Sequence, residues 1–390
     1  MNPDKMFSDN GINMIIERVE SVDREKKEVK LSDGRILPYD KLVLGVGSRP
    51  FVPPIEGADL EGVFSMRSLK DAENIKEFLE QKNPKKLVFI GAGFISMELA
   101  AFLKEQKGDE YDISIVELLG HPLPLMVDAE FGDRVRQHMQ EKNIEIRTGE
   151  KVTGILGDGK VSGVELSSGE SLPADLVFMN VGARPNLELA RDMGLELGRF
   201  GIKVNQYLET SDPDIIAAGD CIENHHFVTK KPAPIQLRGP AVIQGRLAAK
   251  RLAGYDIPFP GVLGNSAVRL FDKYFASTGL TEEAAQKENF DTVSATVDSR
   301  SKHNMIVGKK PWSLKLVFDK ENGRLLGGQI VSDDVAPAKG IDAVNALILG
   351  EKTVRDLTTL MCAGNPDCSS EPSAEPITIA AEQALQKLGK

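Results

Sequence analysis

Residues 87–96 read LVFIGAGFIS, an apolar run that ends in a glycine turn. The run predicts a buried strand, and the apolar residues after the turn predict a helix. Gly91 permits a tight turn, while Gly93 lets a pyrophosphate approach the helix N-terminus, whose free N–H groups favour anions. Ser96 stands where a third glycine is usual. The stretch predicts a dinucleotide site; a turn used for packing alone is the alternative.

A carboxylate ends the next predicted strand. Glu117 lies 24 residues after Gly93, where such a residue accepts hydrogen bonds from the adenosine ribose and repels a 2′-phosphate. Leu118 and Leu119 follow it, and neither is an arginine that would hold such a phosphate. We therefore expect NADH at this site in preference to NADPH.

An internal repeat extends the pattern to a second nucleotide domain. Residues 29–50 and 164–185 align without a gap and share eleven identities in 22 positions, at an offset of 135. The second copy is preceded by the glycine turn at Gly91, and the same offset places the counterpart of that turn before Met1. We therefore expect the chain to start inside its first nucleotide-binding domain.

A second candidate ligand-binding turn is IIAAGD, at residues 215–220. An apolar strand there delivers Gly219 and then Asp220 at its carboxyl end, which is where open α/β sheets bind ligands. From the residues alone, Asp220 is equally well a helix cap or a turn residue.

Periodicity divides the remainder of the chain into two kinds of structure. Up to Pro258, strands alternate with helices, which is typical of a doubly wound parallel sheet. A first strand is expected at residues 12–22. Beyond Pro260, antiparallel strands are expected at 268–275, 292–297, 312–318 and 325–331, and helices at 338–348 and 374–388.

Composition excludes several classes of protein. A net charge of −10 argues against a nucleic-acid surface, which needs clustered Lys and Arg. Three cysteines in 390 residues cannot staple a fold, so a reducing cytoplasm is favoured. We predict neither a membrane span, because the apolar runs are too short, nor a signal peptide.

Five motifs, taken in order, resemble one family. They are PYDKLVLGVGSRP from residue 38, VFIGAGFISMELA from 88, VGARPN from 181, TSDPDIIAAGD from 210 and FPGVLGNSAVRLFDKYFASTGLTEEAA from 259. As a set they resemble the FAD-dependent pyridine nucleotide-disulfide oxidoreductases. The similar branch holds NADH oxidases, coenzyme A disulfide reductases, rubredoxin reductases and the flavin module of assimilatory nitrite reductases. The resemblance covers essentially the whole chain.

The resemblance implies an α/β fold with two Rossmann-like nucleotide-binding domains and a C-terminal α+β dimerisation domain. The FAD-binding domain is expected at 1–67 with 186–258, the NAD-binding domain at 68–185 and the dimerisation domain at 259–390. A homodimer follows from the same resemblance. Family members begin with a strand and GxGxxG turn for FAD, which this sequence lacks. We expect either a shortened chain or a companion chain that supplies the missing FAD half-site.

The resemblance also assigns site residues. Those expected at FAD are Gly47, Arg49, Gly219 and Asp220. Those expected at NADH are Gly91, Gly93, Ser96, Glu117 and Gly182. Glu98, on the first turns of the predicted helix, matches a family glutamate near the nicotinamide; a solvated charge on the helix face is the alternative.

The implied reaction is hydride transfer from NADH to the flavin and on to an acceptor, with the protein orienting the rings. Oxygen, a disulfide or polysulfide, and a small electron-carrier protein are all candidate acceptors. The alternative function is a partial NADH-binding, dimerising subunit that needs a companion chain for FAD. A third alternative is a nucleotide-sensing regulator that binds NADH without turnover.

The cysteines complete the candidate residues. Cys221 follows Asp220 and is expected near the flavin, while Cys362 and Cys368 lie six residues apart in a segment that reaches the partner's flavin in the family. Cys368 is the candidate redox thiol, and ordinary loop cysteines are the alternative. We predict no metal site, because the cysteine pair has no nearby histidine in the sequence.

Overall fold

The computed structural model describes residues 3–389. In chain order its helices are α1 (Pro3–Asp9), α2 (Leu69–Lys82), α3 (Phe94–Lys107), α4 (Ala129–Glu141), α5 (Glu188–Asp192), α6 (Arg238–Leu252), α7 (Glu282–Lys287), α8 (Val335–Lys339), α9 (Ile341–Leu349), α10 (Val354–Leu357) and α11 (Pro376–Lys387). Short 3-10 turns lie at Gly108–Glu110 and Pro372–Ala374.

The strands of the first half are β1 (Val19–Asp23), β2 (Glu28–Leu31), β3 (Ile36–Pro38), β4 (Leu42–Leu44), β5 (Ser48–Pro50), β6 (Val63–Phe64), β7 (Lys86–Ile90), β8 (Asp112–Glu117), β9 (Ile144–Thr148), β10 (Val152–Asp158), β11 (Lys160–Leu166), β12 (Ser171–Pro173), β13 (Leu176–Met179) and β14 (Ala183–Pro185). Those of the second half are β15 (Ile215–Ala217), β16 (Asn224–His225), β17 (Pro232–Ala233), β18 (Ser266–Leu270), β19 (Lys273–Gly279), β20 (Thr292–Arg300), β21 (Pro311–Asp319) and β22 (Leu325–Ser332).

The chain divides into two compact units. Unit 1 comprises Met1–Ser48, Pro185–His225 and Pro232–Gly261. Unit 2 comprises Arg49–Arg184, His226–Lys231 and Val262–Lys390.

Unit 2 contains a parallel sheet in the order β6-β13-β7-β8-β9. The run that opened the sequence analysis forms β7, and its residues from Leu87 to Ile90 are buried because both faces of the sheet are covered. Phe89 stacks on Phe178 of the neighbouring β13, with ring centroids 4.4 Å apart. The order places β7 at the centre of the sheet, so the turn that follows it lies among strand ends.

An antiparallel sheet in the order β18-β19-β22-β21-β20 forms the second layer of unit 2. Helices α8 and α9 pack on β22, and α11 packs on β20 and β21. The expected single strand at 268–275 is wrong, because β18 and β19 are separated by a turn at Phe271 and Asp272. Phe271 takes a left-handed φ of +56° there while its ring stays buried, so the apolar run continues through the turn.

One hydrophobic core joins the two sheets of unit 2. Leu87 and Phe89 of the parallel sheet belong to the same buried cluster as Val268, Leu270 and Phe275 of the antiparallel sheet. The parallel sheet and the C-terminal antiparallel sheet are therefore packed as one body.

Unit 1 repeats part of unit 2. Its antiparallel sheet β1-β2-β3 corresponds, at the offset of 135 residues, to the sheet β10-β11-β12, and its β4 corresponds to β13. Strand β4 pairs in parallel with β15, from Leu42 opposite Ile215 to Leu44 opposite Ala217. The internal repeat in the sequence is therefore a structural repeat.

The expected strand at residues 12–22 is wrong in its first part. Residues 12–18 form neither helix nor strand, and β1 begins at Val19. Ile12, Ile15 and Ile16 are exposed to solvent. Apolar residues favour a strand when one face of it is buried, and these three side chains have no such buried face. Across residues 3–389 no helix has both the length and the apolarity that crossing a membrane requires.

Candidate functional site

Gly91 makes the sharp turn that leaves β7. Its φ is +90°, which side-chain-bearing residues rarely adopt, and a Cβ built on it would lie 3.1 Å from the Asn180 carbonyl oxygen and 3.3 Å from Val181 Cγ1. Asn180 and Val181 follow β13, the strand that pairs with β7. The turn can therefore lie against the next strand end only with glycine at this position.

Gly93 is the N-cap of α3 and has a different geometry. Its φ is −74°, which any residue adopts, and a Cβ built on it meets nothing within 4 Å. No side chain caps the N-terminus of the helix. The first N–H groups of α3 thus face open space that is suited to a pyrophosphate. A side chain at position 93 would narrow that space.

Ser96 is fully buried on the same helix. Its Oγ accepts a hydrogen bond of 3.4 Å from Asn180 Nδ2, and the Asn180 side-chain oxygen accepts one of 3.0 Å from the Met66 N–H. A serine is therefore accommodated where the third glycine is usual, because its hydroxyl group bonds to Asn180 at the end of the neighbouring strand. Asn180 is an additional residue of this site, and its position directly after a buried strand is the sequence signal that indicates it.

Glu117 ends β8 with its side chain buried beside the glycine turn. Its Oε2 accepts the Ala92 N–H at 2.7 Å and its Oε1 accepts the Leu119 N–H at 2.8 Å. Ionised carboxylate oxygens accept about two hydrogen bonds each, so both oxygens keep capacity for ribose hydroxyls. Glu117 was predicted from a different strand, and its carboxylate lies at the turn that contains the predicted Gly91, Gly93 and Ser96.

Glu98 lies on α3 one turn beyond the glycine motif and is exposed to solvent. The protein around its carboxylate partly desolvates it and raises its pKa, and the Arg269 backbone N–H opposes that shift. Gly182 follows β13 with φ +116° and with open space where a Cβ would stand. Its carbonyl accepts the Phe51 N–H at 2.9 Å.

The second predicted turn lies in unit 1. Because β4 and β15 are parallel, Gly47 and Gly219 follow strand ends at the same edge of the sheet, with φ of +65° and +85°. Ser48 Oγ donates to Asp220 Oδ2 at 2.9 Å. The structure therefore brings the predicted Gly47, Gly219 and Asp220 together, while Arg49 is exposed in β5.

A buried amide that the sequence analysis missed supports this turn. Gln244 of α6 is fully buried; its Oε1 accepts the Gly219 N–H at 2.8 Å and its Nε2 donates to Asn224 Oδ1 at 2.7 Å. Gln236 Nε2 donates to the Asp220 carbonyl at 3.2 Å. The sequence signal for Gln244 is a polar residue on the buried face of a helix.

The strand-end edge of unit 1 fits a nucleotide cofactor. A Cβ built on Gly45, which leaves β4, or on Gly239, in the first turn of α6, meets nothing within 4 Å. Leu237 is the N-cap of α6 and supplies no side-chain cap. Open glycine backbone, free helix N–H groups and the Asp220 carboxylate are the features that FAD recognition uses.

The cysteines differ in environment. Cys221 is fully buried with its Sγ 3.3 Å from the Ala218 carbonyl oxygen, and burial raises the pKa of its thiol. Cys362 and Cys368 are exposed. Within residues 3–389, no three His, Cys, Asp or Glu side chains are grouped as a metal ion would need.

Two family models match the chain. Residues 5–244 match the model of the pyridine nucleotide-disulphide oxidoreductases, and residues 266–375 match the model of their dimerisation domain. The chain therefore belongs to the pyridine nucleotide-disulphide oxidoreductase family.

Characterised relatives narrow the class. The chain is 33% identical to an NADH oxidase of Methanocaldococcus jannaschii over 371 residues, which cover 95% of this chain and 80% of that protein. It is 34% identical to a CoA-dependent NAD(P)H sulfur oxidoreductase of Pyrococcus abyssi over 91% of this chain and 78% of the relative. The solved NAD-dependent persulfide reductase of A. fulgidus superposes with a TM-score of 0.92 at 32% identity, covering 98% of this chain and 70% of that one.

These relatives confirm the predicted fold class and the main prediction for function. The chain is an FAD-dependent NAD(P)H oxidoreductase, which passes hydride from NADH to FAD and on to an acceptor. It carries a dimerisation domain.

Proposed function

We propose that Gly91, Gly93, Ser96 and Glu117 hold NADH at its adenosine and pyrophosphate end. The observation that carries this proposal is the Glu117 carboxylate, which the Ala92 and Leu119 N–H groups hold beside the glycine turn. The ribose hydroxyls would take the remaining acceptor sites, and the open helix N-terminus at Gly93 would take the pyrophosphate.

We further propose Glu98 and Gly182 for the nicotinamide end. Glu98 is on α3 beyond the pyrophosphate position, and Gly182 is open where the neighbouring strand ends. The Glu98 carboxyl group offers oxygens that accept hydrogen bonds, and partial desolvation by the surrounding protein raises its pKa. Glu98 would therefore orient the carboxamide or the ring and would not be the hydride donor or acceptor.

FAD is assigned to Gly47, Arg49, Gly219 and Asp220. Bound FAD supplies the two-electron chemistry of the reaction. Asp220, oriented by Ser48, would accept a hydrogen bond from the ribityl chain, and the two glycines would admit the cofactor close to the backbone. The division into an FAD domain at 1–67 with 186–258, an NAD domain at 68–185 and a dimerisation domain at 259–390 is part of this proposal.

The acceptor we propose is a small sulfur compound of the disulfide, polysulfide or persulfide class. It is supported by the sulfur oxidoreductase and persulfide reductase among the relatives. Oxygen is the second candidate because another relative is an NADH oxidase. Cys368 is the exposed thiol proposed to exchange with such an acceptor, whereas Cys221 is too buried to do so.

The working form we propose is a cytoplasmic homodimer. The matched dimerisation domain supports self-association, and three cysteines without a disulfide suit a reducing compartment. Sedimentation of the purified protein would test the dimer: a single species of one-chain mass would reject it.

The experiment that tests the function is the visible spectrum of the purified, mass-verified protein, followed by anaerobic NADH addition. A flavin absorbance that bleaches with NADH supports the proposal. Reoxidation is then followed with polysulfide, with a small disulfide, with oxygen and with an electron-carrier protein in turn. Reoxidation by oxygen or the carrier protein alone would reject the sulfur acceptor.

Two other outcomes would contradict the main proposal. A colourless protein that still binds NADH would favour the partial subunit that needs a companion chain for FAD. A flavin that NADH does not bleach would reject the assignment of the glycine turn at Gly91 to NADH. The variant Cys368→Ser should keep the bleaching step and slow reoxidation by the sulfur acceptor only.

A further inference from the structure

The loop at residues 118–128 joins Glu117 to helix α4 and touches the glycine turn. Its Leu123 N–H donates to the Ala92 carbonyl oxygen at 2.9 Å, while the Ala92 N–H donates to Glu117. Ala92 is thus held on one side by the carboxylate and on the other by the loop. Leu123 is buried and has a left-handed φ of +53°, a conformation that needs firm support from its surroundings.

The loop ends at Asp128, which is 4% exposed. Its Oδ2 accepts Gln329 Nε2 at 2.6 Å, and its two carboxylate oxygens accept the Glu282 and Glu283 N–H groups, each at 3.1 Å. The Asp128 N–H donates back to Gln329 Oε1 at 2.7 Å. Backbone and side chain of one residue are therefore both fixed by the C-terminal part of unit 2.

Lys315 of β21 is the cation of this junction. Its Nζ lies 3.0 Å from Asp128 Oδ2, 2.9 Å from Glu282 Oε2 and 3.3 Å from Glu130 Oε1, and its side chain is 6% exposed. Burial opposes the charged form of all three groups, but the carboxylates raise the pKa of Lys315, the Gln329 and Glu283 hydrogen bonds together with Lys315 lower the pKa of Asp128, and the Lys315 and Ser294 hydrogen bonds lower the pKa of Glu282. A buried ion pair of this kind holds one geometry because either charge alone would be costly.

We propose that Asp128 and Lys315 are positioning residues for NADH, through which the C-terminal sheet holds the 118–128 loop, and so Ala92 and Glu117, in the geometry that binds the nucleotide. This inference rests on the proposed assignment of the glycine turn to NADH. It gives the C-terminal domain a part in nucleotide affinity as well as in dimerisation. If the junction were purely structural, substitutions in it would change the stability of the fold and leave the affinity of the folded protein for NADH unchanged.

The test uses the variants Lys315→Met and Asp128→Asn in the full chain. NADH binding is titrated directly by the fluorescence of the nucleotide, and hydrogen exchange is followed at the amides of 118–128. We expect the NADH dissociation constant to rise by about tenfold, because the coupling acts on the geometry that binds the nucleotide. The turnover at saturating NADH should stay nearly unchanged. The Leu123 and Leu119 amides should exchange faster in both variants.

Lys273→Met is the matched control. Lys273 lies in the same antiparallel sheet and pairs with Asp333 at 2.5 Å, with no bond to the 118–128 loop. It should leave NADH affinity and loop exchange at the wild-type values. The double variant Asp128→Asn/Lys315→Met removes both charges together, so it should fold better than Lys315→Met while keeping weak NADH binding.

The outcomes separate this inference from the function beneath it. Wild-type protein that fails to bind NADH would reject the proposed NADH site itself. Wild-type binding together with variants that melt earlier but bind NADH like the control would overturn the positioning role. If Lys315→Met does not fold, the same comparison is decided by Asp128→Asn and the double variant.

Discussion

At the residue scale, Glu117 is the position that should set the choice of nucleotide. Glu117→Arg replaces repulsion of a 2′-phosphate by attraction, so we expect weaker NADH binding and measurable NADPH turnover. Glu117→Gln is the control: it also disturbs the Ala92 and Leu119 hydrogen bonds but offers no cation, and should weaken NADH without admitting NADPH. Steady-state kinetics with both nucleotides would reject our placement of Glu117 if the preference of the arginine variant were unchanged.

His226 should make stability depend on pH. Burial lowers its pKa from 6.5 to about 4, and its Nδ1 accepts the Val228 N–H at 3.2 Å, which requires the unprotonated ring. The unfolded state therefore binds the proton first, and stability present above pH 6.5 is lost as pH falls towards 4. A shift of this size corresponds to about 3 kcal/mol.

The variant His226→Asn keeps an acceptor near the Val228 N–H and cannot titrate. We expect its free energy of unfolding, measured in urea between pH 4 and pH 7, to depend less on pH than that of the wild type. His225→Asn, at the exposed neighbouring residue, should retain the wild-type slope. Equal slopes in all three proteins would show that His226 does not titrate as its burial predicts. His138 is also buried with a lowered pKa, and it contributes to the slope that remains together with carboxylates such as Asp128, whose pKa is lowered too.

A turn whose strand and helix are adjacent in the chain could be predicted from the sequence, whereas side-chain partners that are distant in the chain could not. The pattern around Gly91 and Gly93 predicts their turn because the strand and the helix that define it are adjacent in the chain. Asn180 bonds to Ser96 across 84 residues, and Asp128 bonds to Gln329 across 201. No spacing rule connects such pairs, because the order of strands in the sheet brings them together.

At the element scale, the turn between β7 and α3 separates two roles of glycine. Gly91→Ala should lower the melting temperature, because its φ is +90° and its Cβ would press on the Asn180 carbonyl. Gly93→Ala should fold normally, since its φ of −74° suits alanine and no atom lies within 4 Å, yet it should weaken NADH binding by narrowing the pyrophosphate space. Thermal melts and NADH titration of both variants test this. Normal NADH affinity in Gly93→Ala would exclude the proposed pyrophosphate position.

The limits of sequence patterns also show at this scale. The apolar run through residues 268–275 predicts one strand, but Phe271 is buried in the turn between two, because a turn over a core can hold an apolar ring. The helix expected at 338–348 is divided into α8 and α9 at Gly340. Boundaries of this kind depend on what lies beneath each turn, which periodicity along the chain does not encode.

In the whole molecule, the shared core of unit 2 predicts that its parallel sheet and its C-terminal antiparallel sheet unfold together. Phe275 of β19 is fully buried in the cluster that contains Leu87 and Phe89 of β7. Phe275→Ala should therefore lower the opening free energy by about 3–5 kcal/mol for the amides of both sheets, measured by native-state hydrogen exchange.

Leu44→Ala, in the separate core of unit 1, is the matched control, because Leu44 is also buried and belongs to the same cluster as Ile215 and Ile222. It should accelerate exchange in β4 and β15 and leave the amides of β7 and β19 at their wild-type rates. If Phe275→Ala accelerates exchange in β19 while β7 keeps its protection, the two sheets open independently. That outcome would show that the cluster shared by Leu87, Phe89 and Phe275 does not make the two sheets one cooperative unit.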